Sequence, residues 1–136
     1  MNTDAHGLES NLTEVVIGSA FEVANVLGAG FLEKVYERAL LRELGLRGLS
    51  AKAQVSFPVC YKGQYVGEYM ADLVVEEEIV VELKCVDRLA NEHLAQCINY
   101  LKASGLRVAL LINFQRSKLE WKRVLLDQDG IAPSAS

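Results

Sequence analysis

The spacing of apolar residues in the first third of the chain predicts two helices. Between residues 11 and 27, apolar side chains recur every three or four positions, which is the period of one buried helix face. Ser10 or Asn11 is suited to cap the start of this helix. The glycine-rich segment 28–30 interrupts the pattern, and a second helix is expected over 31–47.

The pattern changes to alternation after residue 50, which is typical of strands. From residue 51, polar and apolar side chains alternate, and after a turn at 61–64 a second strand is expected over 65–75. A third strand is expected over 79–84. Its first three residues are all apolar, which indicates a central strand that is covered on both faces.

The last third of the chain contains one more helix and one or two strands. Helical spacing returns over 91–104, and a short, strongly apolar strand follows at 107–113. The segment 118–126 is consistent with one further strand. The order is therefore ααβββαβ(β), an α+β fold in which helices pack on a sheet.

Length and composition agree with a single folded domain. The chain has 136 residues, of which 51% are hydrophobic and 24% are charged, so it can bury a core and differs from disordered chains. We expect one domain over 11–126, between a flexible leader at 1–10 and a flexible tail at 127–136. A chain this apolar can leave a sheet edge or a helix face for a second copy to cover, so a homo-oligomer is also expected.

Charge and cysteine content bear on partners and location. With 14 basic and 18 acidic side chains, a net charge of −4 excludes a broad basic surface, so chemistry on nucleic acid would need a local site or metal ions. The apolar stretches are too short to span a membrane, and we expect neither a membrane span nor a signal peptide. Cys60, Cys85 and Cys97 contain no CxxC pair, which indicates reduced, mostly buried thiols in a cytoplasmic protein.

Three charged residues interrupt two of the expected strands. Asp72 lies between Ala71 and Leu73, and Glu82 and Lys84 share one face of the third strand. The intervening turn makes the two strands antiparallel, so Asp72 and Glu82 are expected to be cross-strand neighbours. Two close carboxylates repel unless a proton or a cation lies between them. Oxygen ligands without His or Cys favour Mg²⁺ or Mn²⁺.

This pattern is consistent with two kinds of site. A divalent cation held by Asp72 and Glu82 would polarise a phosphoryl oxygen and lower the pKa of a bound water. Lys84 would then orient that water or stabilise the charge that builds on the phosphate. The alternative is an internal ion pair between Lys84 and one of the two carboxylates, without catalysis.

The segments around these residues carry a family resemblance. They are Gly30-Phe31-Leu32-Glu33-Lys34-Val35-Tyr36, Tyr61-Lys62-Gly63, Ala71-Asp72-Leu73, Val81-Glu82-Leu83-Lys84, Gln96-Cys97-Ile98-Asn99-Tyr100-Leu101 and Leu111-Ile112-Asn113-Phe114. In this order they resemble the GxxExxY proteins, a family of small bacterial and archaeal chains grouped with the PD-(D/E)xK nuclease-like superfamily. The resemblance covers roughly residues 10 to 125. It implies a restriction-endonuclease-like mixed sheet flanked by helices.

The resemblance also implies roles for the strand residues. Asp72 takes the place of the superfamily's strand aspartate, and Glu82 and Lys84 take the places of its ExK pair. Asp72 and Glu82 would be metal ligands, and Lys84 would be the catalytic lysine. Ala71 stands where the superfamily's name has a proline, a change that removes no ligand.

Helix residues complete the site that the resemblance implies. Glu33 resembles the acidic residue that some branches supply from the preceding helix, as a further metal ligand. Gln96 and Tyr100, four residues apart, resemble the QxxxY element that places the substrate phosphate or the lysine. Each has an ordinary alternative: Glu33 could cap its helix or pair with Lys34 or Arg38, and the other two could be surface residues.

The sequence therefore predicts a Mg²⁺-dependent (or Mn²⁺-dependent) nuclease that hydrolyses phosphodiester bonds in DNA or RNA, with nucleic acid as its partner. The alternative belongs to a different class of function. It is a catalytically silent nuclease-like fold that acts as a binding or assembly module. The acidic net charge and the absence of an appended DNA-recognition domain support this second interpretation.

Overall fold

The helices and strands follow the predicted order, with the optional last strand present. A computed structural model of the protein describes residues 5–115 and 118–126, and side chains from residue 11 onwards. The elements are α1 (Ala5–Leu27), α2 (Glu33–Leu46), β1 (Ala51–Tyr61), β2 (Gln64–Val75), β3 (Ile79–Lys84), α3 (Asn91–Ser104), β4 (Val108–Asn113) and β5 (Glu120–Leu125). The predicted α+β class is therefore confirmed.

The five strands form one mixed sheet in the order β1-β2-β3-β4-β5. β3 and β4 are parallel, because α3 carries the chain back across one face of the sheet between them. The other neighbouring pairs are antiparallel. β3 is central and its first five residues are buried, as its apolar run predicts.

Helices cover both faces of the sheet and divide the core in two. On one face, α1 and α2 pack on the sheet, where Leu40 and Leu83 are fully buried. On the other face, α3 packs on the sheet, where Leu101 and Val80 are fully buried. Among the residues described, no helix combines the length and the apolar character that crossing a bilayer requires.

The hairpin of β1 and β2 changes faces half-way along its length. Ala53 pairs with Leu73, and both pack on the side of α1 and α2. Val55 pairs with Ala71, and both pack on the side of α3. Two residues of the same strand normally face the same side when they are two positions apart. The hairpin is therefore twisted between these two pairs.

One prediction about the start of the fold is wrong. α1 begins at Ala5, so Ser10 and Asn11 lie inside the helix and neither caps it. The residues before Asn11 include Leu and Glu, which extend a helix readily. The helix thus enters the predicted leader, 1–10, and the predicted tail, 127–136, lies outside the described residues. The flexibility of both segments stays a prediction.

The prediction of mostly buried thiols is wrong for Cys60. Cys97 is buried and Cys85 is half-buried, but Cys60 is exposed. It lies near the tip of the β1–β2 hairpin, beside a register shift between Val59 and Cys60. The pairing of β2 with β3 reaches only Leu73, so this end of the hairpin extends beyond the covered part of the sheet.

Tyr36 fixes the loop between α1 and α2. Its side chain is 1% exposed, and its hydroxyl donates to the carbonyl of Gly28 at 2.6 Å and accepts from the N–H of Phe31 at 3.2 Å. Its ring stacks on that of Phe114 with 4.7 Å between centroids. Gly30 has a φ of 107°, which side-chain-bearing residues disfavour. The glycine and the tyrosine of this motif therefore determine where α2 begins.

Removing the hydroxyl of Tyr36 tests this anchor. We expect Tyr36→Phe to lower the free energy of unfolding by about 1–2 kcal/mol, because the carbonyl of Gly28 loses its donor. Tyr65→Phe is the matched control, since it removes an exposed hydroxyl bonded to Glu68 and should cost less than about 0.5 kcal/mol. Urea denaturation measures both values, and equal losses would contradict the assignment.

Candidate functional site

β2 and β3 separate at the residues that the sequence predicts to carry the site. The ladder between them ends at the pair Leu73–Val81. Beyond this pair, the backbone N–H of Leu83 donates to Oδ2 of Asp72 at 2.8 Å. One more pair in the same register would set Asp72 opposite Glu82. Asp72 and Glu82 thus lie next to each other, as expected, at the point where the backbone ladder ends and a hydrogen bond to the side chain of Asp72 replaces it.

Glu82 holds a buried carboxylate on the side of the sheet that faces α3. The residue is 4% exposed, and its Oε2 lies 3.7 Å from Nζ of Lys84. Its Oε1 is buried and has no hydrogen-bond partner among the described residues. A buried carboxylate oxygen without a donor is costly. This atom is therefore available to a proton or to a ligand.

Tyr100 of α3 contacts the same carboxylate, and Gln96 contacts Tyr100. The hydroxyl of Tyr100 donates to the carbonyl of Met70 at 2.8 Å and lies 3.4 Å from Oε2 of Glu82. The side-chain amide of Gln96 donates to that hydroxyl at 3.4 Å. Tyr100 is buried, so it is not an ordinary surface residue. The two residues connect one face of α3 to the strand that carries Glu82.

Glu33 approaches the site from the other face of the sheet, as the first residue of α2. Burial raises the pKa of its carboxyl, the charge of Asp72 adds to the rise, and Lys84 opposes it. The carboxyl of Glu33 therefore belongs to the same group of interacting charges as Asp72 and Lys84. Lys34, one of its alternative partners, pairs with Glu37 instead, with Nζ 3.1 Å from Oε2.

Glu37 belongs to the site although the sequence analysis gives it no role. It is 5% exposed, and its Oε1 accepts a hydrogen bond from Nε2 of Gln54 at 2.8 Å. Its charge raises the pKa of Asp72 and of Glu33. The available signal was its position four residues after Glu33, on the face of α2 that also carries the buried leucines.

Asn113 fixes the chain beside Lys84 and was also missed. It is fully buried and pairs with Lys84 in the register of β3 and β4. Its amide donates to the carbonyl of Val86 at 2.8 Å and to Oε1 of Glu120 at 3.0 Å. The N–H of Phe114 donates to the carbonyl of Lys84 at 2.9 Å. A lone polar residue at the end of an otherwise apolar strand was the available signal.

Asp72 and Glu82 form a carboxyl pair that resists losing both protons. Burial raises the pKa of Glu82 to about 8, the charge of Asp72 adds to the rise, and Lys84 opposes it. Burial also raises the pKa of Asp72, and the N–H of Leu83 partly offsets this. Because Asp72 has that donor, the directions of the two shifts favour Glu82 as the carboxyl that keeps the pair's proton. Burial and the charge of Glu82 likewise raise the pKa of Tyr100, which keeps its hydroxyl a donor.

The carboxylate oxygens of the site are the kind of ligand that a hard divalent cation prefers, but their arrangement does not complete a metal site. The carboxylates of Asp72 and Glu82, with Glu33 nearby, supply the oxygen ligands that Mg²⁺ prefers. The unpartnered Oε1 of Glu82 is an open acceptor. Within residues 5–115 and 118–126, no three His, Cys, Asp or Glu side chains are placed to hold one ion together. As it stands, the site offers a pair of carboxylates, and a third ligand would have to move toward them.

Replacing Glu82 by Gln tests the electrostatics of the pair. A carboxyl whose pKa is raised in the folded state contributes stability at low pH and loses it as the pH rises through the folded-state value. We expect the free energy of unfolding of the wild-type protein in EDTA to fall from about pH 5 to about pH 8. The fall should be on the order of a few kcal/mol and mostly absent from Glu82→Gln.

Urea denaturation across this pH range measures the effect. Glu14→Gln, which neutralises an exposed glutamate on α1, is the control and should follow the wild-type curve. If the curves of the wild type and Glu82→Gln run parallel, Glu82 is not the group that holds the proton.

The residues of the site fall within a match to a known family. The family model of the PD-(D/E)XK nuclease superfamily matches residues 10–124. This range includes both the first site residue, Glu33, and the last supporting one, Glu120. The match is to the superfamily, and the likeness to the GxxExxY proteins stays a resemblance.

A solved structure shares the fold. The crystal structure of SSO0001 matches the chain with a TM-score of 0.56 and 19% sequence identity. The alignment covers 89% of this chain and 61% of that one, so the chain spans less than two thirds of that protein's length. At this identity the likeness shows the fold alone. None of the curated proteins compared matches the chain.

Proposed function

The chain belongs to the PD-(D/E)XK nuclease superfamily, and from this membership and the geometry of its site we propose that it is a metal-dependent nuclease. It would hydrolyse phosphodiester bonds in DNA or RNA with Mg²⁺ or Mn²⁺. The observation that carries the proposal is the carboxyl pair of half-buried Asp72 and buried Glu82, in which Oε1 of Glu82 has no hydrogen-bond partner among the described residues. Such a pair needs a proton or a cation between its members.

Asp72 and Glu82 are the residues proposed to hold the ion, with Glu33 as a further ligand from α2. When bound, the ion would supply a Lewis acid and a water of lowered pKa. Asp72 is oriented by the N–H of Leu83, and Glu82 lies between Lys84 and Tyr100. The protein's own contribution is to orient the carboxylates of Asp72 and Glu82 before the substrate arrives.

Lys84 is proposed as the catalytic lysine. Its Nζ lies 3.7 Å from Oε2 of Glu82, so it can reach a phosphate that binds at the carboxylates. There it would stabilise the negative charge that develops on the phosphate, or orient the attacking water. The hydrogen bond between its carbonyl and the N–H of Phe114 fixes the end of β3, which holds the start of this side chain in place.

Gln96 and Tyr100 are proposed to position the substrate. Both line a cavity of about 550 Å³ between β2 and α3, together with Tyr69 and Asn99. Tyr100 connects this cavity with the site, because its hydroxyl lies 3.4 Å from Oε2 of Glu82, which is not itself part of the lining. The volume of the cavity lies within the usual range for ligand sites in proteins.

A second candidate function is a catalytically silent binding or assembly module. The contact between Nζ of Lys84 and Oε2 of Glu82 favours it, and so does the absence, among the described residues, of three side chains placed to hold one ion. Large apolar side chains are exposed at Phe31, Leu32 and Val35, where a partner or a second copy could bind. Self-association and a cytoplasmic location stay predictions from the sequence.

Cleavage assays with the Lys84→Ala variant test the nuclease proposal. We expect the wild-type protein with Mg²⁺ or Mn²⁺ to cleave at least one of single-stranded DNA, duplex DNA, single-stranded RNA and duplex RNA. Lys84→Ala should cleave that substrate at least about 100-fold more slowly, because the charge on the phosphate loses its counter-charge. End-labelled oligonucleotides on a denaturing gel give the rates.

Lys52→Ala is the matched control, because Lys52 is exposed on β1, and it should cleave at nearly the wild-type rate. Asp72→Asn should abolish cleavage, although asparagine has nearly the same size and shape as aspartate. If wild type and Lys84→Ala cleave equally, the activity belongs to a contaminant or to another site. If the wild type cleaves none of the four substrates, the binding-module function is favoured.

A further inference from the structure

Gln54, the fourth residue of β1, has an unusual backbone conformation. Its φ is 55°, in the left-handed region that residues with side chains disfavour. The other described residues of this kind, Lys62, Glu76 and Glu77, lie in the turns that follow β1 and β2, where such angles are expected. Gln54 lies within β1 instead. Such strain persists only where the surrounding structure maintains it.

The strained residue stands opposite Asp72. The pairs on either side are Ala53–Leu73 and Val55–Ala71, so Gln54 and Asp72 occupy the position between them. This is also where both strands change the face to which their apolar side chains point. The twist at Gln54 thus coincides with the residue whose carboxylate turns toward Leu83.

The side chain of Gln54 is tied to α2. Its Nε2 donates to Oε1 of Glu37 at 2.8 Å, and Oε2 of Glu37 pairs with Lys34 at 3.1 Å. Glu37 is buried and lies one turn after Glu33 on the same helix. The hydrogen bond therefore connects the twisted point of the hairpin, beside Asp72, with the helix that carries Glu33.

We propose that Gln54 and Glu37 are a positioning pair that sets the separation and orientation of Asp72 and Glu33. Both residues would act through Asp72 and Glu33 and not by contact with the substrate. The pair acts by holding β1 in its twisted conformation against α2, which presents two carboxylates from different elements to one ion. The inference rests on the proposed metal site. It adds that the strained backbone at Gln54 is retained for this alignment rather than for stability.

The variant Gln54→Gly separates alignment from stability. Glycine adopts a positive φ readily, so the variant keeps the backbone conformation and loses only the side-chain hydrogen bond. We expect its urea midpoint to stay near the wild-type value, because relief of the strained φ offsets the donor that Glu37 loses. The hydrogen exchange of the Leu83 amide should accelerate at least about tenfold, since its acceptor Asp72 is no longer held. The affinity for Mn²⁺, measured by calorimetry, should fall about tenfold or more.

Two variants serve as matched controls. Lys62→Gly introduces glycine at another positive φ, at the far end of the hairpin, and should change neither the Leu83 exchange nor the affinity for Mn²⁺. Glu37→Gln keeps an acceptor oxygen for Gln54 and should leave the Leu83 exchange close to wild type, whereas Glu37→Ala should accelerate it. If Gln54→Gly fails to fold, Gln54→Asn applies the same test, because asparagine tolerates this conformation and its amide is too short to reach Glu37.

The two readouts keep this inference apart from the proposed function. Unchanged exchange at Leu83 in Gln54→Gly and Gln54→Asn would overturn the positioning role. A wild-type protein that does not bind Mn²⁺, but whose Leu83 exchange still depends on Gln54, would overturn the metal site and leave the positioning of Asp72 intact. If exchange in Gln54→Gly accelerates at every amide by the amount that its loss of global stability requires, the hydrogen bond from Gln54 only stabilises the fold and does not position Asp72.

Discussion

Beyond Leu73 and Val81, the N–H of Leu83 finds its acceptor in the side chain of Asp72 and not in the ladder between β2 and β3. The rest of the site depends on this exchange. It turns the carboxylate of Asp72 inward and brings it to the buried Glu82 on the neighbouring strand. Two carboxyls in such a position cannot both ionise without compensation. The fold thereby creates an electrostatic demand that a proton or a cation has to meet.

The flanking helices supply further groups that change the electrostatics of the two carboxyls. α3 supplies Tyr100, a hydroxyl donor beside Glu82, and covers the carboxylate from water. α2 approaches from the opposite face and supplies Glu33, whose charge adds to the repulsion. Among the described residues of the site, Lys84 is the cation that lowers the pKa of Asp72, Glu82 and Glu33. One lysine does not balance three carboxyls, so the arrangement needs a retained proton or a bound cation in addition to Lys84.

Much of this arrangement could be read from the sequence, because local periodicity determines it. Period-two alternation put Glu82 and Lys84 on one face of a strand, and helical spacing put Gln96 and Tyr100 on one face of a helix. The residues that were missed depend on contacts between distant segments. The strain at Gln54 arises where a hairpin twists against α2, and neither composition nor spacing carries a signal for a positive φ at a glutamine. The exposure of Cys60 likewise depends on how far the hairpin extends past β3.

If the proton on Glu82 occupies the place of a cation, a bound metal ion must displace it, and proton release reports that displacement. Mn²⁺ is titrated into the wild-type protein at pH 7 by calorimetry, in two buffers of different ionisation enthalpy. Because burial raises the pKa of Glu82 to about 8, we predict saturable binding with release of about one proton per ion, since a ligand must be deprotonated to bind. Binding without proton release, or no saturable binding, would contradict the account.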